Sequence, residues 1–218
     1  VRAQAGGNVQ NRLRIKGFLE NTGLDFKNFA SKKIAVDDEI KEQIQLHVKT
    51  GSRPYVPGSS LKGAIRTAII SYFFTEDLEK NIRDTRGYIG QDIFGKINDD
   101  VLKFLQVSDT MPLGKEDLGI VKFFRFNLKT DSLDIPIIKE VIPSGKDSTF
   151  RIDFKAKKGQ VDSKFEFFEE GKGDLLFEII NKYSLKNVKN ELAYLKRSNN
   201  IELKDVKEFY SSLLDAVS

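Results

Sequence analysis

The spacing of hydrophobic residues predicts three helical stretches along the chain. Apolar side chains recur at threes and fours within each of them: Asn11–Phe29, Ser59–Thr75 and the whole chain beyond Gly159. In the second stretch, either Ser59 or Ser60 can serve as the N-cap. The last stretch is broken at 171–173 and 198–200, so we expect at least three helical pieces at the C-terminal end.

Between these helices, short apolar runs predict the strands of a sheet. The strand candidates are 44–48, 101–110, 119–130, 137–142 and 149–157. A turn at 50–52 follows the first candidate, and the last two read as a hairpin closed at 143–147. Residues 77–95 are polar and read as a loop around a short helix. The phenylalanines Phe123, Phe124 and Phe126 are expected to pack in the core.

This order of elements predicts an α+β fold in which helices cover one face of an antiparallel sheet, with a ferredoxin-like core as the natural candidate. We assign residues 1–158 to that core. Residues 159–218 form a helical C-terminal portion packed on it.

Composition excludes several classes of protein. The chain has 218 residues, no cysteine and a single histidine, so a disulfide framework or a zinc centre is not expected, and no cofactor is indicated. It contains no run of eighteen apolar residues and no charged start followed by an apolar stretch. We therefore expect a cytoplasmic protein with no membrane partner.

Positive charge is concentrated in the first third of the chain. Residues 1–75 hold 12 Lys and Arg against 6 Asp and Glu, whereas the remainder holds 24 against 26. An anionic partner is therefore expected to meet the N-terminal third. Arg12, Arg14 and Lys16 form a basic cluster there, which fits contacts to a nucleic-acid backbone or, equally well, a solvated helix face.

The segment Pro54–Arg66 places cations where a helix start disfavours them. A helix N-terminus carries a partial positive charge and free amides, and a cation there is disfavoured by up to about 1 kcal/mol. Lys62 lies in the first turn and Arg66 one turn later, and the segment contains no acid. A bound anion removes this conflict, because the amides, the hydroxyls of Ser59 and Ser60 and both cations would then converge on one phosphate.

Two glycines in the same segment fit this interpretation. Gly58 permits a tight turn, and Gly63 removes a side chain from the helix surface so that a polymer backbone can approach. A simple capped turn with solvated cations explains the residues too. A nucleotide-binding P-loop does not match, because Lys62 precedes its glycine and an alanine follows.

These residues resemble the RAMP superfamily of CRISPR-associated proteins. Its signature turn enters the first helix as proline-glycine-serine-serine-leucine-lysine-glycine, which Pro57–Gly63 matches fully. Three further segments are similar, in order and spacing, to the fifth Csm subunit of type III-A effector complexes: Asp92–Gly95, Phe104–Pro112 and Ile135–Pro143. We find neither the opening strand with a His-Ile-Gly-type turn nor the closing Gly-rich loop of that family, which puts the first core strand in doubt.

The resemblance implies a ferredoxin-like (RRM-like) RAMP core with an antiparallel sheet and extra helices. It also implies a subunit that caps the 3′ end of the CRISPR RNA (crRNA). The implied partners are the crRNA and target RNA duplex, the neighbouring backbone RAMP subunit and the small helical subunit.

Asp109 is expected to bond nearby backbone amides. Carried over residue by residue, the RNA-binding positions are Gly58, Ser59, Ser60, Lys62, Gly63 and Arg66. From their chemistry and position we add Arg12, Arg14, Arg53 and Tyr55, the last as a base-stacking residue.

The sequence offers poor candidates for catalysis, and we expect no enzymatic activity. RNA cleavage needs convergent carboxylates or a positioned histidine. The lone His47 lies in a predicted strand, and the acidic pairs at 99–100 and 169–170 read as solvated loops. Three alternatives stay open: an endoribonuclease that processes precursor crRNA, a Cmr-type RAMP subunit, and a module that binds a small anion.

Overall fold

The computed structural model describes residues 22–23, 43–74, 89–127, 129–134 and 136–217, which form a mixture of helices and small antiparallel sheets. Within these ranges the α-helices are α1 (Gly58–Tyr72), α2 (Gln91–Phe94), α3 (Gly173–Leu195) and α4 (Lys204–Val217). The strands are β1 (Lys49–Thr50), β2 (Arg53–Pro54), β3 (Leu105–Val107), β4 (Gly119–Phe123), β5 (Phe126–Asn127), β6 (Ser132–Leu133), β7 (Ile137–Val141) and β8 (Ile152–Phe154). Shorter 3₁₀ helices are Ile97–Asp99, Val101–Phe104, Ser163–Phe168 and Ile201–Leu203.

The predicted central helix is confirmed as α1. Ile65, Ala68 and Ile69 are spaced three and four residues apart and are buried, whereas Gly63 and Thr67 are exposed on other faces of the helix. This apolar stripe anchors the helix, because its burial removes hydrocarbon surface from water.

The predicted hairpin of 137–142 with 149–157 is wrong. In the described residues, each sheet has two strands, and β7 pairs antiparallel with β4, Ile120 lying opposite Glu140. Strand β8 pairs instead with β3, Gln106 lying opposite Asp153. Short apolar runs carry no information about which strand they pair with, so the sequence predicts pairing only between neighbouring strands.

The predicted strand at 101–110 is shorter than expected. Residues Val101–Phe104 form a 3₁₀ helix, because the Asp100 carboxylate accepts a 2.8 Å hydrogen bond from the Leu102 amide and caps that turn. Only Leu105–Val107 is extended.

The helical character beyond Gly159 is confirmed, including both predicted breaks. Gly171 adopts a positive φ of 82° just before α3 begins, a conformation that glycine tolerates best. At the second break, the Asn200 side chain accepts a 2.9 Å hydrogen bond from the Glu202 amide and caps the next 3₁₀ helix. No described helix is long and apolar enough to cross a membrane.

The chain divides into two compact units. The first comprises Val1–Tyr55, Pro112–Phe126 and Leu133–Asp147. In it, β1 and β2 form a tight hairpin whose turn residues, Gly51 and Ser52, have φ of 53° and 65°, so the predicted turn at 50–52 is confirmed.

The ribbon of β4 and β7 in this unit exposes aromatic side chains. Phe123 is 46% and Phe124 49% exposed, so their predicted place in the core is wrong, and Phe126 is half-buried. An isolated two-stranded ribbon cannot bury both of its faces by itself.

The second unit comprises Val56–Met111, Asn127–Ser132 and Ser148–Ser218 and holds the main hydrophobic core. Residues from α1, the 105–107 strand and the helical C-terminal portion meet in one cluster, in which the most deeply buried are Ile69, Leu105, Phe168 and Leu176. This core fixes the position of the α1 start, where the predicted site lies. The predicted helix Asn11–Phe29 lies outside the described residues except for 22–23.

Candidate nucleic-acid interface

Helix α1 starts earlier than predicted, because its N-cap lies two residues before Ser59. It begins at Gly58, and its N-cap is Pro57, with φ −61° and ψ 135°. Proline has its φ preset near this value, and its carbonyl accepts hydrogen bonds from the Ser60 and Leu61 amides at 2.9 and 3.3 Å. Ser59 and Ser60 therefore lie inside the first turn and are exposed, and neither is the N-cap.

The α1 start already holds an anion supplied by the chain itself. The Gly58 amide donates a 2.7 Å hydrogen bond to Oδ1 of Asp109. The expectation that Asp109 bonds backbone amides is thus confirmed. This carboxylate relieves part of the unfavourable positive charge of the first turn, so an external anion is not required for that purpose.

The two glycines of the segment have different roles. A Cβ on Gly58 would lie 2.6 Å from the carbonyl carbon and oxygen of Ser108 and closer still to the Val107 carbonyl, so Gly58 is required for close packing against β3 and the residue after it. A Cβ on Gly63 would meet no described residue within 4 Å. Gly63 is exposed, and internal packing does not explain the absence of its side chain.

Lys62 reaches from the first turn across to β3. Its ammonium donates a 2.8 Å hydrogen bond to the Leu105 carbonyl. Partial burial lowers the pKa of Lys62, an effect that nearby Asp100 opposes and Arg66 reinforces. An ammonium has three hydrogens, so this contact leaves donors for a further acceptor.

Arg66 is held on three sides. It forms a 3.1 Å ion pair with Asp100 and donates a 2.9 Å hydrogen bond to the Ile89 carbonyl. Its guanidinium also lies 4.5 Å from the centre of the Phe94 ring, which is buried. The acidic pair at 99–100 is therefore more than a solvated loop, because the Asp100 side chain is only 20% exposed and orders Arg66.

These side chains border an open cavity of about 360 Å³, which we call the α1 groove. Of the predicted residues, it brings together Ser59, Lys62, Gly63 and Arg66. Asp100 and Lys103 line it too. Neither was predicted at the site, because the acidic pair at 99–100 reads as a solvated loop and 101–110 as a strand. The available signal was a lysine between apolar neighbours, three residues after Asp100.

The other predicted contacts lie elsewhere or outside the described residues. Ser60 is exposed on α1 but does not line the groove. In the first unit, Arg53 donates hydrogen bonds to the Leu113 and Pro112 carbonyls at 2.9 and 2.7 Å, and Tyr55 is half-buried. Arg12 and Arg14 lie among residues that the structure does not describe.

The prediction of a solvated loop at 169–170 holds for Glu170, which is exposed, but is wrong for Glu169. Glu169 is 7% exposed, accepts a 2.7 Å hydrogen bond from the Gly159 amide and pairs with Lys172 at 3.2 Å. It locks the loop that precedes α3. The described residues include no cluster of three or more His, Asp or Glu able to hold a metal ion.

Comparison with known proteins identifies the family. The family model of the RAMP superfamily matches residues 8–216. Two curated relatives are both named CRISPR system Cms protein Csm5. The protein from Methanocaldococcus jannaschii is 28% identical over 91% of this chain, and the protein from Streptococcus thermophilus is 31% identical over 61%. The chain spans 53% and 40% of the length of these relatives.

Solved structures show the same fold. The crystal structure of T. onnurineus Csm5 superposes with a TM-score of 0.67 at 20% identity, over 96% of this chain and 75% of the other. A chain of the cryo-EM structure of a Csm-crRNA-target RNA ternary complex, in a type III-A CRISPR-Cas system, superposes with a TM-score of 0.60 at 22% identity over 96% and 70%. Since the family model covers nearly all of the sequence and the fold agrees, the chain belongs to the RAMP superfamily.

Proposed function

We propose that this chain is a crRNA-binding subunit of a type III-A Csm complex and grips the RNA by its backbone at the α1 groove. The Csm5 relatives and the Csm-crRNA-target RNA complex support the assignment to such a complex. The observation that carries the site is Gly63, an exposed glycine in the middle of a helix with open space above it.

Glycine in a helix interior is unfavourable by about 1 kcal/mol relative to alanine, and nothing in the described packing requires it here. The bare surface at Gly63 is bordered by Lys62, Arg66 and Lys103. Because glycine has no side chain, a phosphate backbone can approach the helix closely at this point, where it also meets the surrounding cations.

The lining favours recognition of shape and charge over recognition of bases. Among the described residues that line it, the polar groups are the Ser59 hydroxyl, three cationic side chains and the Asp100 carboxylate, and none is aromatic. Contacts of this kind position a phosphate chain without reading its sequence. Lys62 offers the ammonium hydrogens not used by Leu105, and the ion pair with Asp100 holds the Arg66 guanidinium in place.

The proposal also includes finer features that the resemblance implies. The chain caps the crRNA 3′ end, stacks on the backbone RAMP subunit, and meets the target RNA duplex and the small helical subunit, in the cytoplasm and without catalysing a reaction. Residues 1–158 form a ferredoxin-like core, and 159–218 a helical portion packed on it. The shared burial of Ile69 and Leu176 supports that packing. Contacts of RNA with Arg12, Arg14, Arg53, Tyr55 and Ser60 stay predictions, whereas Gly58 acts through packing.

The test places a charge on the bare surface. We expect Gly63→Glu to lower RNA affinity at least about tenfold and to make its salt dependence shallower, because a carboxylate would repel phosphates and block their approach. RNA binding is measured by fluorescence anisotropy over a range of salt, on several unrelated sequences, with folding checked by circular dichroism.

Ser212→Glu is the matched control, since Ser212 is exposed on α4 and the variant has the same added charge. Equal affinity of wild type and folded Gly63→Glu would overturn the α1 groove as the RNA site. Cleavage of the probe by the wild type, abolished by Lys62→Ala, would instead favour the endoribonuclease alternative.

A further inference from the structure

A second open cavity of about 210 Å³ lies between α1 and α3, within the second unit. Its apolar base is formed by Ala68 and Ile179, which are 1% and 6% exposed. Residues Gly63 and Ala68 are five positions apart on α1, about 140° around the helix axis. The cavity is therefore on a different side of α1 from the α1 groove.

Two tyrosines and two lysines give this cavity its chemical character: Tyr72, Lys182, Tyr183 and Lys186. We call it the tyrosine–lysine groove. A serine hydroxyl, from Ser71, completes its polar lining, and none of the described residues that line it is acidic. In a chain with 32 acidic residues, a described lining with two cations and no carboxylate favours anions.

The two lysines carry charge that the described part of the chain does not neutralise. Neither Lys182 nor Lys186 forms a hydrogen bond or an ion pair with any described residue. By contrast, Lys49, Lys146 and Lys172 each meet a carboxylate at 2.5 to 2.6 Å. The charges of the tyrosine–lysine groove are thus available to a ligand.

The lysines also form a track along α3. Lys182, Lys186 and Lys189 are spaced four and three residues apart, which places them on one face of the helix over a rise of about 10 Å. From residue 179 to residue 190 this helix has no acid. An extended anionic chain can follow this track, whereas a single small anion would use only one end of it.

The aromatic side chains provide surfaces for stacking. Tyr72 is 55% exposed, and its ring packs edge-on against Phe73 with 5.0 Å between ring centres. Phe73 in turn packs against the buried Phe165 at 5.5 Å, so the Tyr72 ring is anchored to the core while one face stays accessible. Tyrosine rings beside cations are the typical elements of a surface that binds single-stranded nucleic acid, because every base has a face that can stack.

We propose that the tyrosine–lysine groove binds single-stranded RNA, with one base stacked on Tyr72 or Tyr183 and the flanking phosphates on Lys182 and Lys186. Its volume lies below the roughly 300–1,000 Å³ of sites that enclose a drug-sized ligand, which suits one base of a strand that continues along the helix. This site is additional to the α1 groove and does not depend on it.

The first experiment removes the two charges. We expect Lys182→Ala/Lys186→Ala to weaken binding of a 5′-labelled single-stranded RNA and to reduce the salt slope by about 1.4, since each phosphate contact with a single strand contributes roughly 0.7. The control Lys157→Ala/Lys158→Ala removes the same charge from exposed positions of the same unit and should leave the slope unchanged.

The second experiment tests stacking. The chain contains no tryptophan, so its tyrosine emission can be followed directly. Tyr183→Leu keeps an apolar side chain but removes the ring, and we expect it to lower affinity at least about fivefold and to reduce the quenching of tyrosine emission by RNA. RNA containing 5-iodouridine should crosslink, in the wild type, to peptides carrying Tyr72 or Tyr183.

The outcomes separate this site from the proposed function. Unchanged affinity and salt slope in Lys182→Ala/Lys186→Ala, with no crosslinks to either tyrosine, would overturn the tyrosine–lysine groove even if Gly63→Glu abolishes binding. If the lysine variant instead weakens co-purification with a backbone RAMP subunit while RNA binding is unchanged, the groove is a protein interface and the RNA proposal is wrong.

Discussion

The Gly58 amide donates its hydrogen to the carboxylate of Asp109, 2.7 Å away and fifty-one residues further along the chain. This contact ties the start of α1 to the segment after β3. The neighbouring Val56 amide is bound in the same way, at 2.9 Å, by the Thr110 hydroxyl. Two side chains that follow β3 thus hold the turn into α1, and Ser59 and Gly63 are exposed on the helix that follows this turn.

Removing the Asp109 carboxylate should destabilise the α1 start. We expect Asp109→Ala to lower the free energy of unfolding by about 1–2 kcal/mol, because the Gly58 amide loses its acceptor and the helix N-terminus its negative charge. Asp109→Asn keeps an acceptor and should lose less. Urea denaturation measures both, with exposed Asp147→Ala as the control, which should match the wild type.

The two glycines of α1 should respond to alanine in opposite directions. Gly58→Ala should destabilise the protein by about 1–3 kcal/mol, since the new methyl group overlaps the backbone of Val107 and Ser108. Gly63→Ala should stabilise it by up to about 1 kcal/mol, since the methyl group meets open space. Thermal denaturation of the two variants side by side tests this, and a loss of stability in Gly63→Ala would contradict the exposed position.

The ion pair of Arg66 with Asp100 should show measurable coupling. Both side chains are partly buried, 23% and 20% exposed, so we expect a coupling free energy of about 0.5–1.5 kcal/mol from a double-mutant cycle of Arg66→Ala and Asp100→Ala. Arg66→Lys should not restore it, because an ammonium lacks the planar fork that reaches Asp100 and the Ile89 carbonyl together. If the two single substitutions change the free energy of unfolding additively, the ion pair contributes no coupling free energy.

Acid should weaken the loop that Glu169 holds. The hydrogen bond from the Gly159 amide lowers the pKa of Glu169 below its usual 4.5, burial opposes this shift, and Lys172 adds to it. A carboxyl with a lowered pKa in the folded state stabilises the protein above its unfolded pKa, and this contribution disappears as the pH falls through the folded value. Glu169→Gln should therefore be less stable than wild type at neutral pH, and the stabilities of the two should converge as the pH falls through the lowered pKa of Glu169.

Thermal unfolding from about pH 7 down to about pH 3 measures this convergence, within the range where carboxyl groups titrate. Glu170→Gln is the matched control, because Glu170 is the exposed neighbour and its replacement should leave the pH profile of the wild type unchanged. A constant difference between Glu169→Gln and wild type at every pH would contradict the role of the charge.

Local patterns alone determined much of this protein. Spacing at threes and fours predicted α1 and the C-terminal helices, and glycine and asparagine marked their breaks, because these signals act within a few residues of the chain. The turn motif of Pro57–Gly63 indicated the family, which the family model confirmed over residues 8–216. The bare surface at Gly63 could be anticipated too, since a glycine inside a helix is visible in the sequence.

Tertiary structure decided what those signals leave open. Which strands pair, and that Asp109 caps Gly58, depend on contacts between residues far apart in the chain. That Asp100 orders Arg66 instead of lying in solvent, and that Phe123 lies in solvent instead of the core, depends on which surfaces the fold brings together. Local sequence propensity cannot predict these contacts, because burial and charge pairing arise only when distant parts of the chain pack together.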